Sequence, residues 1–434
     1  MDAVVTKERK RTQHQNKPPQ RRQMVDKVAY IMSRFPKLTE TFILYEMVAL
    51  EKAGVQVELF PLLKEEQDVH HAEVARYMKK AHFHPFISLP IILANLSFFL
   101  RKPITYIKMI LDIMTSTFGS RKFFIGAIGI IPKSVRFAYE MEKLGVKHVH
   151  CHFCNHPAVA GFIITRLTGI PFTFTAHGSD LHVERRMLDK KIEASATAVT
   201  VSNFNKEVMV TECGEEMRDK IEVIHCGVDP NLFKDRVKEE TDEPFQIVCV
   251  ASYEEVKGHK YLVKACEVLS QRGIDYTCHF IGYGPLRQEV EKQIADAGLS
   301  DNFKIYGGLP RTEVLKMYEI ADTFVLPSVP TSNGKKEGVP VVLMEAMSSC
   351  VPVISSQISG IPELVKDGHS GLLTEPRDVN GLADALQKLH DNPALRRKLG
   401  KAGRRFVQEE FNLEENTQKL FDLFTDVRNG KSPS

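Results

Sequence analysis

The sequence predicts an α/β protein made of two doubly wound, Rossmann-like domains that face each other across a cleft. Three observations predict it. From Lys27 onward, short β-branched runs alternate with segments of helical apolar period, the pattern of βαβ units around a mostly parallel sheet. The series occurs twice, broken once by the charged, proline-bounded stretch NLFKDRVKEETDEP before Phe245. The 434 residues are enough for two cores, at roughly 100–200 residues per domain.

In the first series the strands read KVAYIM, VQVELF, KHVHCHF, PFTFTA, ATAVTV and IEVIHC, with helices between them over 40–53 and 156–167. In the second they read QIVCVA, YTCHFIG, FKIYG, TFVLPS and VPVISS, with helices over 259–272, 286–297 and 341–348. A helix over 379–390, capped by Asp378, and a long charged pattern over 393–427 follow. The predicted organisation is a basic arm (1–26), a first domain (27–232), a linker (233–244), a second domain (245–408), and a C-terminal helix that crosses back to the first domain, with a tail (409–434).

Composition excludes several classes. Hydrophobic residues make up 43% and charged residues 26%, so the chain is neither disordered nor of low complexity. The formal net charge of +3 belongs to the arm, where Met1 to Lys27 hold eight basic against three acidic residues and the rest holds fifty against fifty-two. No apolar stretch follows those charges before Val28, unlike a secretory leader, and eight scattered cysteines suit a reducing cytoplasmic compartment. Residues 85–100 carry no charge but are interrupted by Pro90 and Asn95 and fall short of the ~20 apolar residues that span a bilayer. In ITYIKMILDIMTSTF, residues Ile104, Ile107, Ile110, Leu111 and Met114 recur at helical spacing, for a face laid on the core or on a membrane surface.

The most informative stretch is PSVPTSNGKKEGVPVVLMEAMSSCVPVISSQISGIPELV, residues 327–365, where Glu337 and Glu345 have seven residues between them. Pro340 suits a helix start, so Glu337 lies in the preceding loop and Glu345 within the helix. A helix N-terminus preceded by Gly338 offers backbone N–H groups to a phosphate, and a carboxylate further along accepts from sugar hydroxyls.

These residues resemble the corresponding region of the retaining glycosyltransferases of family 4, which have the two-domain GT-B fold. The likeness extends to IGYGPLRQEVE at 281–291, ADTFVLPS at 321–328 and VISSQISGIPELVKDGHSGLL at 353–373, and covers nearly all of 28–411. It implies that Glu345 binds the donor ribose, that Glu337 faces the transferred sugar, and that Gly338 and Val339 line sugar and diphosphate. Gly282 and Gly284 would let a nucleotide base approach, and Leu309 would read it through its backbone. Lys257 in VKGHK matches the lysine that reaches the diphosphate. Where the family places an arginine five residues earlier, this chain has Ser252, so charge neutralisation would rest on Lys257, the helix N-terminus or another cation. In TAHGSD, His177 would contact the sugar near its anomeric centre, and Asp180 would cap a helix.

The opening SRFPKLTETFILYEM resembles a subgroup associated with bacterial exopolysaccharide assembly, including colanic acid galactosyltransferase-like proteins. There Thr39 or Thr41 would cap a helix while Glu40 faces the acceptor side, with His152 and Asn155 at the cleft edge. HVHCHFCNH, with four histidines and two cysteines, has zinc ligation as an alternative, although alternating histidines on one strand face suit it poorly. The resemblance implies transfer of a hexose from a UDP- or GDP-linked donor, with retention and without a metal. The acceptor would be a polysaccharide or lipid-linked oligosaccharide at the inner face of the plasma membrane, with peripheral membrane contact and no nucleic acid. A sugar-nucleotide epimerase, a glycan phosphorylase, or a zinc- or nucleic-acid-binding protein are the alternatives.

Overall fold

The computed structural model of the chain describes residues 27–37, 40–65, 72–235 and 243–430. The basic arm, Thr39 and half of the charged stretch before Phe245 lie outside them. In the first domain the strands are β1 (Val28–Phe35), β2 (Val57–Lys64), β3 (His148–His152), β4 (Phe172–Ala176), β5 (Thr197–Thr200) and β6 (Ile221–Val223). They form one sheet of order β2-β1-β3-β4-β5-β6. In the second domain β7 (Phe245–Val250), β8 (Tyr276–Ile281), β9 (Phe303–Tyr306), β10 (Thr323–Leu326), β11 (Val353–Ser356) and β12 (Leu372–Thr374) form a sheet of order β12-β11-β10-β7-β8-β9. Every strand pairing is parallel.

All eleven sequence-read runs are strands, and they build the two doubly wound domains expected. Only β12 went unread: three residues at a sheet edge are too few to register a pattern. β3, β4 and β5 are buried along their whole length, because helices cover both sheet faces, so their residues need not alternate.

In each sheet the strand order reverses between neighbours, at β1/β3 and at β7/β10, and such switch points open a crevice beyond the strands' carboxyl ends. β4 runs out at Ala176 directly into His177, β7 at Val250 into the Ser252 loop, and β10 into the 327–340 loop. The chain crosses between domains twice, side by side. The Val228 N–H donates to the Phe411 carbonyl and the Leu413 N–H to the Val228 carbonyl, at 3.0 Å each. Gly227 permits this approach, since a Cβ there would meet the Leu413 nitrogen at 2.6 Å. Helix Leu413–Arg428 then lays Leu420, Phe421, Leu423 and Phe424 onto the first domain's core beside Val28 and Tyr30.

Helices Leu89–Arg101 and Pro103–Thr117 pack on the long helix Arg121–Leu144. The second of them buries Met109, Ile113 and Thr117, while Ile104, Ile107, Leu111 and Met114 point outward. Of the apolar row read from the sequence, Ile110 packs on the core and the other four do not.

Candidate active site

The second domain contributes a cation and a carboxylate that meet. Lys257, closing a single turn of 3-10 helix after β7, places Nζ 2.7 Å from Oε1 of Glu337, and both side chains are largely buried. They are eighty residues apart in sequence and come together because β7 and β10 are neighbours. Ser252, where the arginine would stand, donates through Oγ to Glu254 at 3.4 Å. The other oxygen of Glu254 accepts from Lys335 at 2.5 Å, so a second cation stands on the same rim. Helix Val341–Ser348 begins just beyond, and the N–H groups of Gly338 and Val339 make no backbone hydrogen bond among the described residues.

Glycines interlock the two domains. A Cβ on Gly338 would sit 2.0 Å from the His177 carbonyl oxygen, and one on Gly178 would sit 2.9 Å from the Gly338 nitrogen. Asp180 shapes the first-domain side of this contact. Its Oδ1 accepts from the N–H groups of His177 (3.1 Å) and Gly178 (2.8 Å), and Oδ2 from that of Cys154 (2.7 Å). Two further contacts hold the cleft closed. Glu363 accepts from the backbone N–H groups of Asn203 and Phe204 at 2.8 Å each, capping helix Asn203–Cys213 from the opposite domain. Arg311 donates to the Tyr45 hydroxyl at 2.8 Å and lies over the Tyr45 ring.

Glu345 lies deeper in the second domain and accepts from the Tyr318 hydroxyl at 3.1 Å. Burial raises its carboxyl above the ordinary value, against the opposing pull of Arg311. A carboxylate held this way, with one hydroxyl partner, retains lone pairs for a further donor pair such as a diol.

His177 stands at the end of a buried relay. The Tyr30 hydroxyl donates to Glu46 Oε1 at 2.7 Å, the same oxygen lies 3.1 Å from His152 Nε2, and His152 Nδ1 lies 3.1 Å from His177 Nε2. The carboxylate sets the direction: when His152 donates through Nε2 to Glu46, its Nδ1 is left to accept from His177 Nε2. The remaining nitrogen of His177, Nδ1, is then an acceptor, with only the Cys226 thiol 3.8 Å away. Burial, reinforced by the neighbouring His152, lowers His177 to about 4, so the ring is a neutral hydrogen-bond partner at neutral pH. Burial alone would raise Glu46, but His152 and the Tyr30 hydroxyl bring it below its ordinary value. Phe42 and Phe153 pack against the His177 ring and hold its plane.

The predicted residues thus divide. Lys257, Glu337, Gly338, Val339, His177 and His152 converge, with Ser252 on the rim and Glu345 behind it. Gly282 and Gly284 have a packing reason within the fold: a Cβ on the first would strike the Ala251 carbonyl at 2.0 Å, and on the second the Tyr253 backbone at 2.5 Å. The space they leave admits the β7 loop. Leu309 is half-buried against the second-domain core. Glu40 turns to Lys37 at 2.5 Å and lines a small pocket between β1 and helix Thr41–Lys52. Asn155 makes no side-chain cap, its buried Oδ1 lacks a partner, and Thr39 lies outside the described residues.

Sequence reasoning missed Glu46, Arg311 and Glu363. Glu46 reads as an ordinary polar position of an apolar helix, and only the β1/β3 pairing brings it to His152. The cysteines and histidines of HVHCHFCNH do not gather into one ligand set among the described residues. Cys151 faces helix His156–Thr168, where it packs on Gly161, while the histidines occupy the opposite strand face. Among the described residues, Glu46, His150 and His152 are the one group with ligand atoms close enough to share a metal. His150 already spends both nitrogens, on the Thr173 and Thr175 hydroxyls.

Two family models match in succession: the one described as Glycosyltransferase Family 4 over residues 119–232, and Glycosyl transferases group 1 over residues 232–406. The amylovoran biosynthesis glycosyltransferase AmsK of Erwinia amylovora is 28% identical over 92% of this chain and 98% of its own length. The chain is a glycosyltransferase, its two halves matching these two models in turn. The putative colanic acid biosynthesis glycosyltransferase WcaL of Escherichia coli is 36% identical over 48% of this chain and 51% of its own. Among solved structures, a glycosyltransferase from Rickettsia africae superposes with a TM-score of 0.69 at 18% identity, over 93% of this chain and 98% of its own. HepE of Anabaena in complex with UDP gives 0.67 at 14% identity, over 92% and 100%. These likenesses carry the GT-B fold to this glycosyltransferase. Among the described residues, no helix of the transferase is long and apolar enough to cross a membrane.

Proposed function

We propose that the chain transfers a hexose, with retention at the anomeric carbon, from a UDP- or GDP-linked donor to a lipid-linked oligosaccharide in exopolysaccharide assembly. What supports the reading is one convergence: the Lys257–Glu337 pair and the unpaired N–H groups at Gly338 meet the His177 loop across the cleft. A donor in that space sets its diphosphate against Lys257 and the start of helix Val341–Ser348, and its ribose against Glu345. As the glycosidic bond breaks, negative charge grows on the departing diphosphate, and a fixed cation and backbone N–H groups stabilise it without reorganising. Lys335 is the cation nearest to taking up the role of the missing arginine at Ser252. Glu337, released from Lys257, accepts from a sugar hydroxyl, and His177 Nδ1 accepts from another close to the reacting carbon. The acceptor hydroxyl attacks from the face the diphosphate leaves, and the departing oxygens take its proton. No metal is required by this scheme, since Lys257 and the helix terminus supply the positive charge.

The two relatives named for amylovoran and colanic acid biosynthesis support the exopolysaccharide assignment. The test is to supply labelled UDP- and GDP-hexoses with a membrane extract and analyse the solvent-extractable product by NMR. The expected product is lipid-linked, carries the donor's anomeric configuration and forms equally in EDTA. An inverted linkage, or label confined to free sugar, overturns the proposal.

A further inference from the structure

We propose that the outward face of helices Leu89–Arg101 and Pro103–Thr117 seats the chain on an anionic phospholipid surface. Fourteen of the eighteen exposed large hydrophobic side chains among the described residues fall within residues 86–125. Single exposed hydrophobics are ordinary, but a continuous patch marks something that covers it. On the first helix Leu89, Ile92, Leu93, Leu96 and Leu100 form one outward row at helical spacing, while Ile91, Ala94 and Phe98 face the core. On the second, Ile104, Ile107, Leu111 and Met114 continue the row, and exposed Phe118 ends it. Both helices are therefore apolar on two sides, and only one side is used in the fold.

Charge and polarity select the occupant. Residues 85–125 hold five basic residues and one acid, Asp112, which Lys190 pairs at 3.4 Å. Arg101 is engaged by Glu142 and Lys102 by the Leu167 carbonyl, which leaves Lys108, Arg121 and Lys122 exposed around the patch. Cations rimming an apolar face complement anionic headgroups over acyl chains. A protein partner would look for about one hydrogen bond per 100–200 Å² of interface, and the outward row of the first helix has no polar side chain to give it. With 13 and 15 residues the helices are too short to span a bilayer and suit lying in its interface.

The face also ends beside the cleft. Ser120 donates to Glu184 at 2.5 Å, and the Arg186 guanidinium covers Gly119, which ties the end of the patch to the segment that follows the His177 loop. A chain seated this way opens its acceptor side at the bilayer surface. In purpose the inference rests on the lipid-linked acceptor; in evidence it does not.

The test is flotation of the full chain with phosphatidylcholine vesicles, with or without about one-third phosphatidylglycerol. The chain is expected to float with the anionic vesicles, about tenfold more than with neutral ones. The variant Leu93→Gln, Leu96→Gln, Ile104→Gln, Ile107→Gln, with an unchanged thermal melt, should lose about tenfold of that binding although it keeps every cation, the basic arm included. Equal flotation of variant and parent overturns the proposal. So does a parent that floats with neither vesicle but forms, by light scattering, a dimer that the variant cannot. Flotation needs neither donor nor acceptor, so its failure and a failure of the transfer reaction are distinguishable.

Discussion

Replacing Lys257 with methionine is expected to lower kcat/KM for sugar transfer by about 10³-fold, because one fixed donor to a developing oxyanion contributes roughly 10²–10³ in rate and its usual partner is missing here. The family resemblance places an arginine and a lysine at the diphosphate; this chain has Ser252 in the first position, so on the proposed reading the charge falls to Lys257. The lysine is positioned for the task even without a ligand, held 2.7 Å from Glu337 in the space assigned to the diphosphate. The variant also leaves Glu337 without its cation, so a near-normal melt must accompany the kinetic loss. Lys257→Arg keeps the charge and should recover part of the rate. Parent-like kinetics in the methionine variant would move the charge stabilisation to Lys335.

His177→Ala is expected to cost about 10²-fold or more in kcat, since on the proposed reading it removes the side chain set beside the reacting carbon together with the wall it forms. Glu46→Gln should cost about tenfold, with little change in donor KM, because it touches no substrate and acts only by orienting His152 and, through it, His177. The decisive comparison is the double variant. If Glu46 is a positioning residue, adding Glu46→Gln to His177→Ala changes nothing further, whereas independent roles make the losses multiply. Neither His177 nor Glu46 should contribute a titration to the parent's activity between about pH 6 and 8, because burial holds His177 near 4 while His152 and the Tyr30 hydroxyl hold Glu46 below its ordinary value.

Legibility differed between fold and site for physical reasons. Eleven strands could be read because buried parallel strands are apolar runs bounded by turn residues, whatever their tertiary partners. Helix Val341–Ser348 could be read because Pro340 and the apolar run that follows mark it locally. Lys257 could be named only through family resemblance, and its meeting with Glu337 not at all, since nothing in VKGHK says that it meets a glutamate eighty residues later. Glu46 and Arg311 were invisible for the same reason: each looks like a surface charge on its own helix. Gly282 and Gly284 were legible as sites that exclude a side chain, but not as to what fills the space. The outward row of helix Pro103–Thr117 was readable as periodic but not as exposed, because its inward residues are apolar too.

The central claim is that Glu345, Glu337 and Lys257 form a nucleotide-sugar site. The most direct measurement is nucleotide release from UDP-, GDP- and ADP-hexoses in the presence of membrane extract, comparing the parent with Glu345→Ala. The account predicts that the parent releases nucleotide from one donor and that the variant, still folded, loses about 10²-fold of that release through weakened donor binding. Release that survives unchanged in Glu345→Ala, or its absence with every donor, would contradict it.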